Sequence, residues 1–463
     1  PFSTLGWPDT TPDLDRFYPN SLLITGHDIL FFWVARMILM GEYVMEAPPF
    51  TETFLHGLIY GKSYWRKKGD GIAYVTLDER RAYNGGAPIP DDVESKWEKM
   101  SKSKGNVIDP IEMIDQYGAD AVRLALCARA SHSRQIDLDP RLFEEFRNFI
   151  NKIWNGARFV SMHLDTCDPS LGLAEESLLL EDRWILSLLS STIHNVTTAL
   201  ASYHFDKAAL SAYGFFWDHF CAYYLEISKP ILFGKQGSKT ERDTKRVVLL
   251  IVLTASLRLL HPIAPYITEE LFSKLKERFT SISPNIDLDP HTAECLKALE
   301  ADLCANAPFP SPLSSDETAE TTFEAVREAI HTIRAIRGEM RIPPHLAVEL
   351  YVTGEMETMR KHERIVRALT AVDSVYYGEL PPEEAFVAKS SCGDMVITIP
   401  LPESLRAAEE ERRAKERSKL EKLIASLRAK LGNAAFIEKA PPHLVAQTRA
   451  MLEKAERDLS ELT

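Results

Sequence analysis

Apolar residues recur at every third or fourth position through the middle of the chain, a spacing that predicts amphipathic helices. No strand-like alternation separates these helices, so the pattern favours a helical bundle over residues 141–321. A break is expected at Pro262-Ile263-Ala264-Pro265, because proline interrupts a helix. The long helices that the spacing predicts are Phe143–Met162, Asp182–Tyr203, Asp206–Lys229 and Thr244–Leu260.

The first 140 residues follow a different pattern, in which turn-rich segments alternate with short apolar runs. Ser21–Thr25 predicts a buried strand, which leads through Gly26-His27-Asp28 into a helix from Ile29 to about Met40. A strand, a glycine turn and an acidic helix start are together typical of the ligand-binding crevice of an open α/β sheet. Phe54–Ile59 predicts the next strand and turn.

Residues 61–98 contain clusters of Lys, Gly and Asp, and they predict a polar surface excursion with a hairpin through Ile72–Leu77. The run from Tyr64 to Lys68 combines aromatic and basic side chains. This combination suits contact with RNA, and it equally suits a solvated surface. The sequence assigns no function to this insertion.

A small α+β domain is predicted over residues 322–401, after a linker that ends at Glu320. Within it, Arg334, Arg337 and Arg341 are either phosphate contacts or a solvated helix face. The predicted helices are Thr322–Gly338 and Met356–Leu369, and the predicted strands are Val348–Val352, Val372–Tyr377 and Met395–Pro400.

Residues 402–463 predict an antiparallel coiled coil that reverses at Gly432–Pro442. Lys and Arg slightly outnumber Asp and Glu here, so the hairpin suits an RNA-binding arm, and it also suits an exposed or oligomerising coiled coil. The two predicted seams are Leu420, Ile424, Leu427 and Leu431, and Val445, Thr448, Leu452, Ala455, Leu459 and Leu462.

The composition limits the possible functions. The 463 residues are enough for about three domains. The net charge of -13 excludes a uniformly basic nucleic-acid binder, so any RNA contact must use a local patch. Six cysteines lie far apart without a Cys-x-x-Cys pair, so no structural metal is expected. The longest apolar run, near Val247–Leu257, is too short to span a bilayer.

The strongest chemical signal is the run Lys99-Met100-Ser101-Lys102-Ser103-Lys104-Gly105-Asn106, called the lysine loop below. The segment Asp109-Pro110-Ile111-Glu112 follows it and predicts a helix start with a capping box. A loop that brings ammonium groups to a helix start can grip a polyphosphate. A solvated Lys/Ser loop would have the same composition.

The lysine loop resembles the KMSKS motif of class I aminoacyl-tRNA synthetases, and KMSKSKGNVIDP is similar to the valyl members. The resemblance implies a loop that closes over ATP, with Mg2+, while the amino acid is converted to its adenylate. It implies catalytic roles for Lys102, at the pyrophosphate, and for Lys99. It also implies ATP contacts from Met100, Ser101, Lys102 and Ser103.

Two more segments resemble the valyl active site. By periodicity alone Trp33 is a core residue, but GHDILFFW is similar to the GxDIxFFW element of the valyl members. The resemblance implies that Gly26 and Asp28 contact ATP and that Asp28, Ile29 and Trp33 form the valine pocket. His56-Gly57 resembles the HG turn that contacts adenine.

The segment from Arg147 to Phe159 resembles the anticodon-binding helix of the same family. By spacing alone Phe149, Ile153 and Trp154 are core residues. The resemblance implies that Asn151, Arg158 and Phe159 lie near the tRNA anticodon, whose unpaired bases stack on aromatic side chains. GNAAFIEKAPPHLV resembles the C-terminal arm that contacts tRNA.

The expected fold is therefore multidomain and mostly α. It comprises the C-terminal half of a Rossmann-like α/β catalytic domain (1–140), an anticodon-binding bundle (141–321), a small α+β domain (322–401) and an antiparallel coiled coil (402–463). The resemblance implies ATP-dependent activation of valine and its transfer to tRNA(Val), by a cytoplasmic monomer without membrane contact.

The sequence starts without a methionine, so the HIGH motif, the first half of the nucleotide fold and the editing domain are expected outside it. The chain by itself is then not expected to aminoacylate tRNA. Two alternatives stay open, namely an isoleucyl-type synthetase and a non-catalytic tRNA-binding scaffold built from the same domains.

Overall fold

The computed structural model describes residues 3–69, 71–131, 133–279, 288–313, 315–401, 403–432 and 442–461. The chain divides into two units, Pro1–Glu320 and Thr321–Thr463. Most of the described residues are helical, and the strands form three small sheets. Within those ranges, no helix is both long and apolar enough to cross a membrane.

Two sheets lie near the start of the first unit. In one, strands β1 (Asn20–Gly26) and β2 (Phe50–His56) pair in parallel, with Gly26 opposite His56. The other is built on β3 (Leu58–Lys68), which pairs antiparallel with β4 (Gly71–Tyr74) and β5 (Val93–Lys99). The short β6 (Gln135–Asp137), which the sequence did not predict, pairs with β3 in parallel.

Short helices connect these strands. The helix predicted after Gly26 is confirmed, but it opens with a 3-10 turn and a π-helical turn before its regular part begins. The helix start predicted at Asp109 is also confirmed, and a second helix follows it after Gly118. The helices of this region are α1 (Pro12–Phe17), α2 (Ala35–Met45), α3 (Leu77–Asn84), α4 (Pro110–Tyr117) and α5 (Ala119–Cys127).

The prediction that residues 61–98 form a surface excursion is wrong at both ends. Its first residues belong to β3 and its last to β5, and these strands pair along Tyr60–Arg66 and Val93–Lys99. Tyr64 is only 3% exposed. The charges at 66–68 suggested a surface loop, but β3 has partner strands on both edges and is held inside the sheet. Between these two strands, β4 also pairs with β3, and residues 75–92 lie outside the strands.

The middle of the first unit is the predicted helical bundle. The four long helices are confirmed, except that the third is divided into α8 and α9 by a π-helical stretch, Phe215–Tyr224. The bundle helices are α6 (Arg141–His163), α7 (Leu180–Ala201), α8 (Phe205–Gly214), α9 (Leu225–Leu232), α10 (Lys239–Leu260), α11 (Pro265–Phe279) and α12 (Pro290–Leu299).

One ionic cluster lies inside the bundle. Lys245 Nζ on α10 is 2.8 Å from Glu181 Oε1 and 2.7 Å from Asp182 Oδ1 on α7, and all three side chains are buried. The Tyr224 hydroxyl donates to the same Asp182 oxygen at 2.6 Å. Burial raises the pKa of Asp182, because a carboxylate removed from water loses its hydration.

The segment predicted as a linker is instead packed on the bundle. It follows α12, and the side chain of Cys304 within it is buried. Asp316 accepts a hydrogen bond from Arg183 Nε at 2.7 Å, and its backbone N–H donates to the Ser187 hydroxyl at 2.7 Å. Its Pro, Ser and Ala composition suggested a free chain, yet these long-range hydrogen bonds satisfy its backbone in place of regular structure.

The second unit opens with a helix and a four-stranded sheet of order β8-β7-β10-β9. The predicted helices and strands are confirmed, with the second helix split in two, and β9 is an addition. The elements are α13 (Glu317–Glu339), β7 (Val348–Gly354), α14 (Glu357–Lys361), α15 (Glu363–Thr370), β8 (Val372–Tyr377), β9 (Val387–Cys392) and β10 (Met395–Pro400).

Arg337 is a structural residue of this unit and not a phosphate contact. It is 7% exposed, and Nη2 donates to the carbonyl oxygens of Pro343 at 2.8 Å and Leu346 at 2.9 Å. Arg334 similarly donates to the Leu369 carbonyl at 3.0 Å. The guanidinium groups hold the loops around α13, because each carbonyl there needs a donor.

The chain ends in two helices that pack against each other, α16 (Glu403–Leu431) and α17 (Pro442–Glu461). Residues of both predicted seams are buried between them, namely Ile424, Leu427, Thr448 and Ala455. Residues 433–441, which hold most of the predicted reversal, and Leu462 lie outside the described residues.

Candidate functional site

The carboxyl ends of β1 and β2 bring together four of the eight residues predicted to bind ATP, namely Gly26, Asp28, His56 and Gly57. Gly26 and His56 are the last residues of the two strands and are paired with each other. Asp28 follows Gly26 in the 3-10 turn, and a Cβ added to Gly26 would lie 2.7 Å from Asp28 Oδ1. Ligands bind at this edge of an open parallel sheet, because the loops there diverge into a crevice.

Lys99 joins the lysine loop to this edge. Its Nζ lies 3.1 Å from Asp28 Oδ2, across 71 residues of sequence. The hydrogen bond from Lys99 lowers the pKa of Asp28, so this carboxyl group is ionised at neutral pH. The structure therefore brings together Asp28 and Lys99, to which the sequence assigns neighbouring roles.

The lysine loop itself forms a 3-10 turn at Lys102–Lys104. The Ser101 backbone N–H donates to Asn106 Oδ1 at 2.7 Å, and the hydroxyl groups of Ser101 and Ser103 are 2.9 Å apart. Lys104 Nζ lies 2.5 Å from Glu98 Oε2, whereas the Lys102 side chain is exposed to solvent. The loop thus presents Lys102 and the two hydroxyl groups outward.

His56 and Gly57 play different parts. The His56 side chain is exposed, with Nδ1 2.9 Å from the Gly57 carbonyl oxygen. Gly57 is buried, and a Cβ there would lie 2.4 Å from the Ser133 carbonyl oxygen. Packing alone therefore requires glycine at position 57, while His56 is available to a ligand.

The residues predicted for the valine pocket lie on an open apolar surface. Ile29 and Trp33 are 42% and 44% exposed, and Phe31 and Phe32 are exposed more. Periodicity would have placed Trp33 in a core. Its exposure leaves the indole ring available at the same edge as Asp28.

A second candidate surface runs along α6. Asn151, Trp154, Asn155 and Arg158 are exposed and follow one another at helical spacing. Trp154 is 40% exposed, so the prediction that it lies in the core is wrong, whereas Phe149 and Ile153 are buried as predicted. Because Trp154 is three residues from Asn151 and four from Arg158, its indole lies on their face of the helix.

Phe159 belongs to an aromatic group that the sequence did not reveal. Its ring centroid is 4.8 Å from that of His163, which is 5.2 Å from that of Phe233 on the loop after α9. Lys229 Nζ lies 5.7 Å from the Phe159 centroid. Burial lowers the pKa of His163, so the imidazole is neutral at physiological pH. Phe233 is 57% exposed and lies more than 70 residues away, so no local pattern links it to Phe159.

No metal centre is evident in the described parts of the chain, where no group of three His, Cys, Asp or Glu side chains is placed to hold an ion. The lysine loop offers the opposite chemistry, a set of cations and hydroxyl groups for a polyanion.

Comparison with protein families divides the chain in three. Residues 1–69 and 93–139 match the class I tRNA synthetases (I, L, M and V). Residues 182–352 match the anticodon-binding domain of tRNA ligase, and residues 407–463 match the valyl tRNA synthetase tRNA binding arm. The family match stops at 69 and resumes at 93, so the departure from the family is shorter than the predicted 61–98.

Individual relatives agree with these matches. The valine--tRNA ligase of Protochlamydia amoebophila is 49% identical over 480 residues, which cover 100% of this chain and 51% of the relative. The valine--tRNA ligase of Chlamydia pneumoniae is 42% identical, and the match covers 98% of this chain and 49% of that relative. This chain therefore spans about half the length of the curated relatives it matches. A methionyl-tRNA synthetase structure from Mycobacterium tuberculosis covers 67% of this chain and 52% of its own, at 19% identity and a TM-score of 0.42.

Proposed function

Since this chain belongs to the valyl-tRNA synthetase family of class I tRNA synthetases, we propose that it supplies the lysine loop and the tRNA-binding parts of a valine--tRNA ligase. Residues 1–140 act as the C-terminal half of a Rossmann-like catalytic domain and residues 141–321 as the anticodon-binding bundle. Residues 322–401 form the small α+β domain, and residues 402–463 act as a coiled-coil arm on tRNA(Val).

The observation that carries the proposal is the ion pair of Asp28 with Lys99, which holds the lysine loop at the carboxyl ends of β1 and β2. In the first step, a valine carboxylate oxygen attacks the α-phosphorus of ATP, and the bond to pyrophosphate breaks. Negative charge develops on the departing pyrophosphate. Lys102 stabilises this charge, with Lys99 assisting, and Met100, Ser101 and Ser103 contact the nucleotide.

Asp28 and Lys99 exchange partners in this mechanism. The ionised Asp28 accepts the ammonium group of valine, which replaces Lys99 Nζ, and Lys99 then turns to the phosphates. Ile29 and Trp33 pack on the valine side chain from the open apolar surface. Gly26 and His56-Gly57 contact the adenosine. Catalysis by these residues consists of positioning and charge stabilisation, without a covalent protein intermediate.

ATP would enter as its Mg2+ complex, and the cation would neutralise part of the phosphate charge beside the lysine loop. Mg2+ prefers phosphate and water oxygens with one or two carboxylates over a protein cage.

In the second step, a hydroxyl group of the terminal ribose of tRNA(Val) attacks the carbonyl carbon of valyl-adenylate, the bond to AMP breaks and AMP leaves. The bundle selects that tRNA. Asn151 and Arg158 donate hydrogen bonds to anticodon bases, and Trp154 and Phe159 stack on them. The net charge of the chain is -13, so recognition depends on this local face and on the mildly basic arm.

Binding of this chain to three RNAs at one fixed salt concentration tests the proposal. The RNAs are valine tRNA, the same tRNA with a replaced anticodon, and isoleucine tRNA. We expect valine tRNA to bind best and the anticodon replacement to remove most of the preference. Preference for isoleucine tRNA would support an isoleucyl enzyme, and equal binding of all three would support a non-specific RNA-binding scaffold.

A substitution on α6 locates the contact. Trp154→Ala should raise the Kd for valine tRNA about 5- to 160-fold, which corresponds to a stacked base worth about 1–3 kcal/mol. Tyr266→Ala on α11 removes another exposed aromatic ring of the same unit and serves as the matched control. A Kd that rises equally in both variants would contradict an anticodon site on α6. A thermal melt of each variant establishes that it is folded.

A further inference from the structure

Residues 70–92 lie between the two parts of the chain that match the class I synthetase family. They contain β4 and α3 and connect β3 to β5, the strand that leads into the lysine loop. Neither the family match nor the sequence assigns them a role. Their contacts with β3 and with the lysine loop indicate a role.

The segment is fixed to β3 at several points. Arg66 on β3 pairs with Glu79 at 2.8 Å and with Asp92 at 2.9 Å, so one guanidinium group joins the start of α3 to the turn that precedes β5. The hydroxyl of the buried Tyr64 donates to Asn84 Oδ1 at 3.1 Å near the end of α3. Both ends of the helix are thereby held against the sheet.

From this position α3 contacts the exit of the lysine loop. Arg80 Nη2 donates to the Val107 carbonyl oxygen at 2.7 Å. A Cβ added to Gly105 would lie 3.9 Å from Arg80 Nη1, so the guanidinium group borders the last turn of the loop. Val107 lies two residues before Asp109, the N-cap of α4.

The loop closes around one buried side chain just before this contact. Asn106 accepts from the Ser101 backbone N–H at 2.7 Å and donates to the carbonyl oxygens of Gly61 and Glu98, both at 3.3 Å. Gly105 has a φ of 63°, a left-handed conformation that favours glycine. The hydrogen bond from Arg80 therefore fixes the backbone where the closed turn joins α4.

We propose that residues 71–92 brace the lysine loop, with Arg80 as a positioning residue that acts through the Val107 carbonyl. This rests on the proposed function of the loop. By fixing Val107, Arg80 sets the direction in which Lys102 and the two serine hydroxyl groups point. A small misplacement of such groups costs rate without loss of folding.

ATP–pyrophosphate exchange by the complete synthetase tests this role. Arg80→Ala should lower kcat about tenfold or more while the KM for valine stays within about twofold, because the loop acts on the phosphates. Arg80→Lys keeps one donor and should recover part of kcat. Arg81→Ala, an exposed arginine on the same helix, removes the same charge and should leave kcat unchanged.

Amide hydrogen exchange on this chain gives a readout independent of activity. Arg80→Ala should accelerate exchange at residues 102–108 and leave α7 in the bundle unchanged, since α7 does not depend on the brace. Unchanged exchange at 102–108 would overturn the brace. Unchanged kcat would overturn the positioning role, provided that Lys102→Ala is slow in the same assay.

The two proposals fail in different ways. If Lys102→Ala exchanges pyrophosphate at the normal rate, the proposed function of the loop is wrong, and hydrogen exchange alone then decides whether α3 braces it. If Lys102→Ala is slow and Arg80→Ala is normal, the loop functions without the brace.

Discussion

At the scale of single residues, the three lysines of the lysine loop differ in what they contact. Lys99 pairs with Asp28 and Lys104 pairs with Glu98, at 3.1 and 2.5 Å. The hydrogen bond that the Lys104 ammonium group donates to Glu98 raises the pKa of Lys104, so this ammonium group is already paired within the protein. The Lys102 ammonium is exposed at the tip of the turn and is the one that a polyphosphate can reach first.

Lys102→Ala in the complete enzyme should lower kcat for ATP–pyrophosphate exchange about 10²- to 10³-fold, the effect of removing one donor to a charged transition state. Valine affinity should change much less, since Lys102 is assigned to pyrophosphate. Lys104→Ala is the matched control, and its loss should be smaller. Equal losses in the two variants would contradict the separate role of Lys102.

At this scale the motif resemblance named Asp28, Lys99 and Lys102 as candidates because their residue types and order are local information. The motif resemblance did not identify Trp154, His163 or Phe233 as candidates. Trp154 has the same periodicity as a core residue, and only the packing of the neighbouring helices decides which face is covered. Phe233 is linked to Phe159 only through the ring of His163, which lies between them in the folded bundle.

At the scale of elements, α3 shows how a short polar helix is held in place. Its N-cap Thr76 and Glu79 form a capping box, and Glu79 also pairs with Arg66. The hydrogen bond from Arg66, followed by those from Thr76, lowers the pKa of Glu79 from 4.5 to about 2. Helix α3 was not predicted, because an eight-residue helix has too few turns to show a clear apolar spacing within a segment rich in Lys, Gly and Asp.

This pKa shift gives α3 a defined dependence on pH. A carboxyl group whose pKa is depressed in the folded state stabilises it above the unfolded pKa, and that contribution is lost as the pH falls from 4.5 to about 2. Helix α3 should therefore keep its amide protection at a pH midway between these values, where most unpaired glutamates are becoming protonated.

Arg66→Gln should remove most of the amide protection that α3 keeps at low pH. The pKa of Glu79 then rises toward 4.5, and amide exchange in α3, corrected for its intrinsic pH dependence, should accelerate between about pH 5 and pH 3.5. Lys67→Gln, which breaks the neighbouring exposed pair with Glu94, is the control. Identical pH profiles for the two variants would show that Arg66 does not set the Glu79 pKa.

At the scale of the whole molecule, the first unit depends on the buried cluster of Lys245 with Glu181 and Asp182. Two carboxyl groups share one ammonium group, and the Tyr224 hydroxyl adds a donor to Asp182. A charge without its partner in such a place is costly, because neither water nor a counter-ion replaces it.

Lys245→Met should therefore destabilise the first unit by about 3–5 kcal/mol, seen as a lower urea midpoint in helix circular dichroism. Lys229→Met is the control, since its pair with Glu226 is half-exposed to water and its loss should cost about 1 kcal/mol or less. Equal midpoints for the two variants would mean that the cluster contributes no more than a surface ion pair.

The sequence by itself determined the long helices, the alternation near the start of the chain and the motifs of the candidate site. These follow from local periodicity and residue type, since a helix buries the same face every 3.6 residues and a motif carries its chemistry in its own order. The seam residues of α16 and α17 were predictable for the same reason.

Only the tertiary structure decided which of these residues meet. The Asp28–Lys99 pair spans 71 positions, the Arg80–Val107 hydrogen bond spans 27, and Lys245 meets α7 from another helix. Such contacts form when separate elements close on one another, and their energies depend on burial and geometry that no local pattern encodes. The insertion at 70–92 shows the same limit, because its contacts with the lysine loop exist only in the folded sheet.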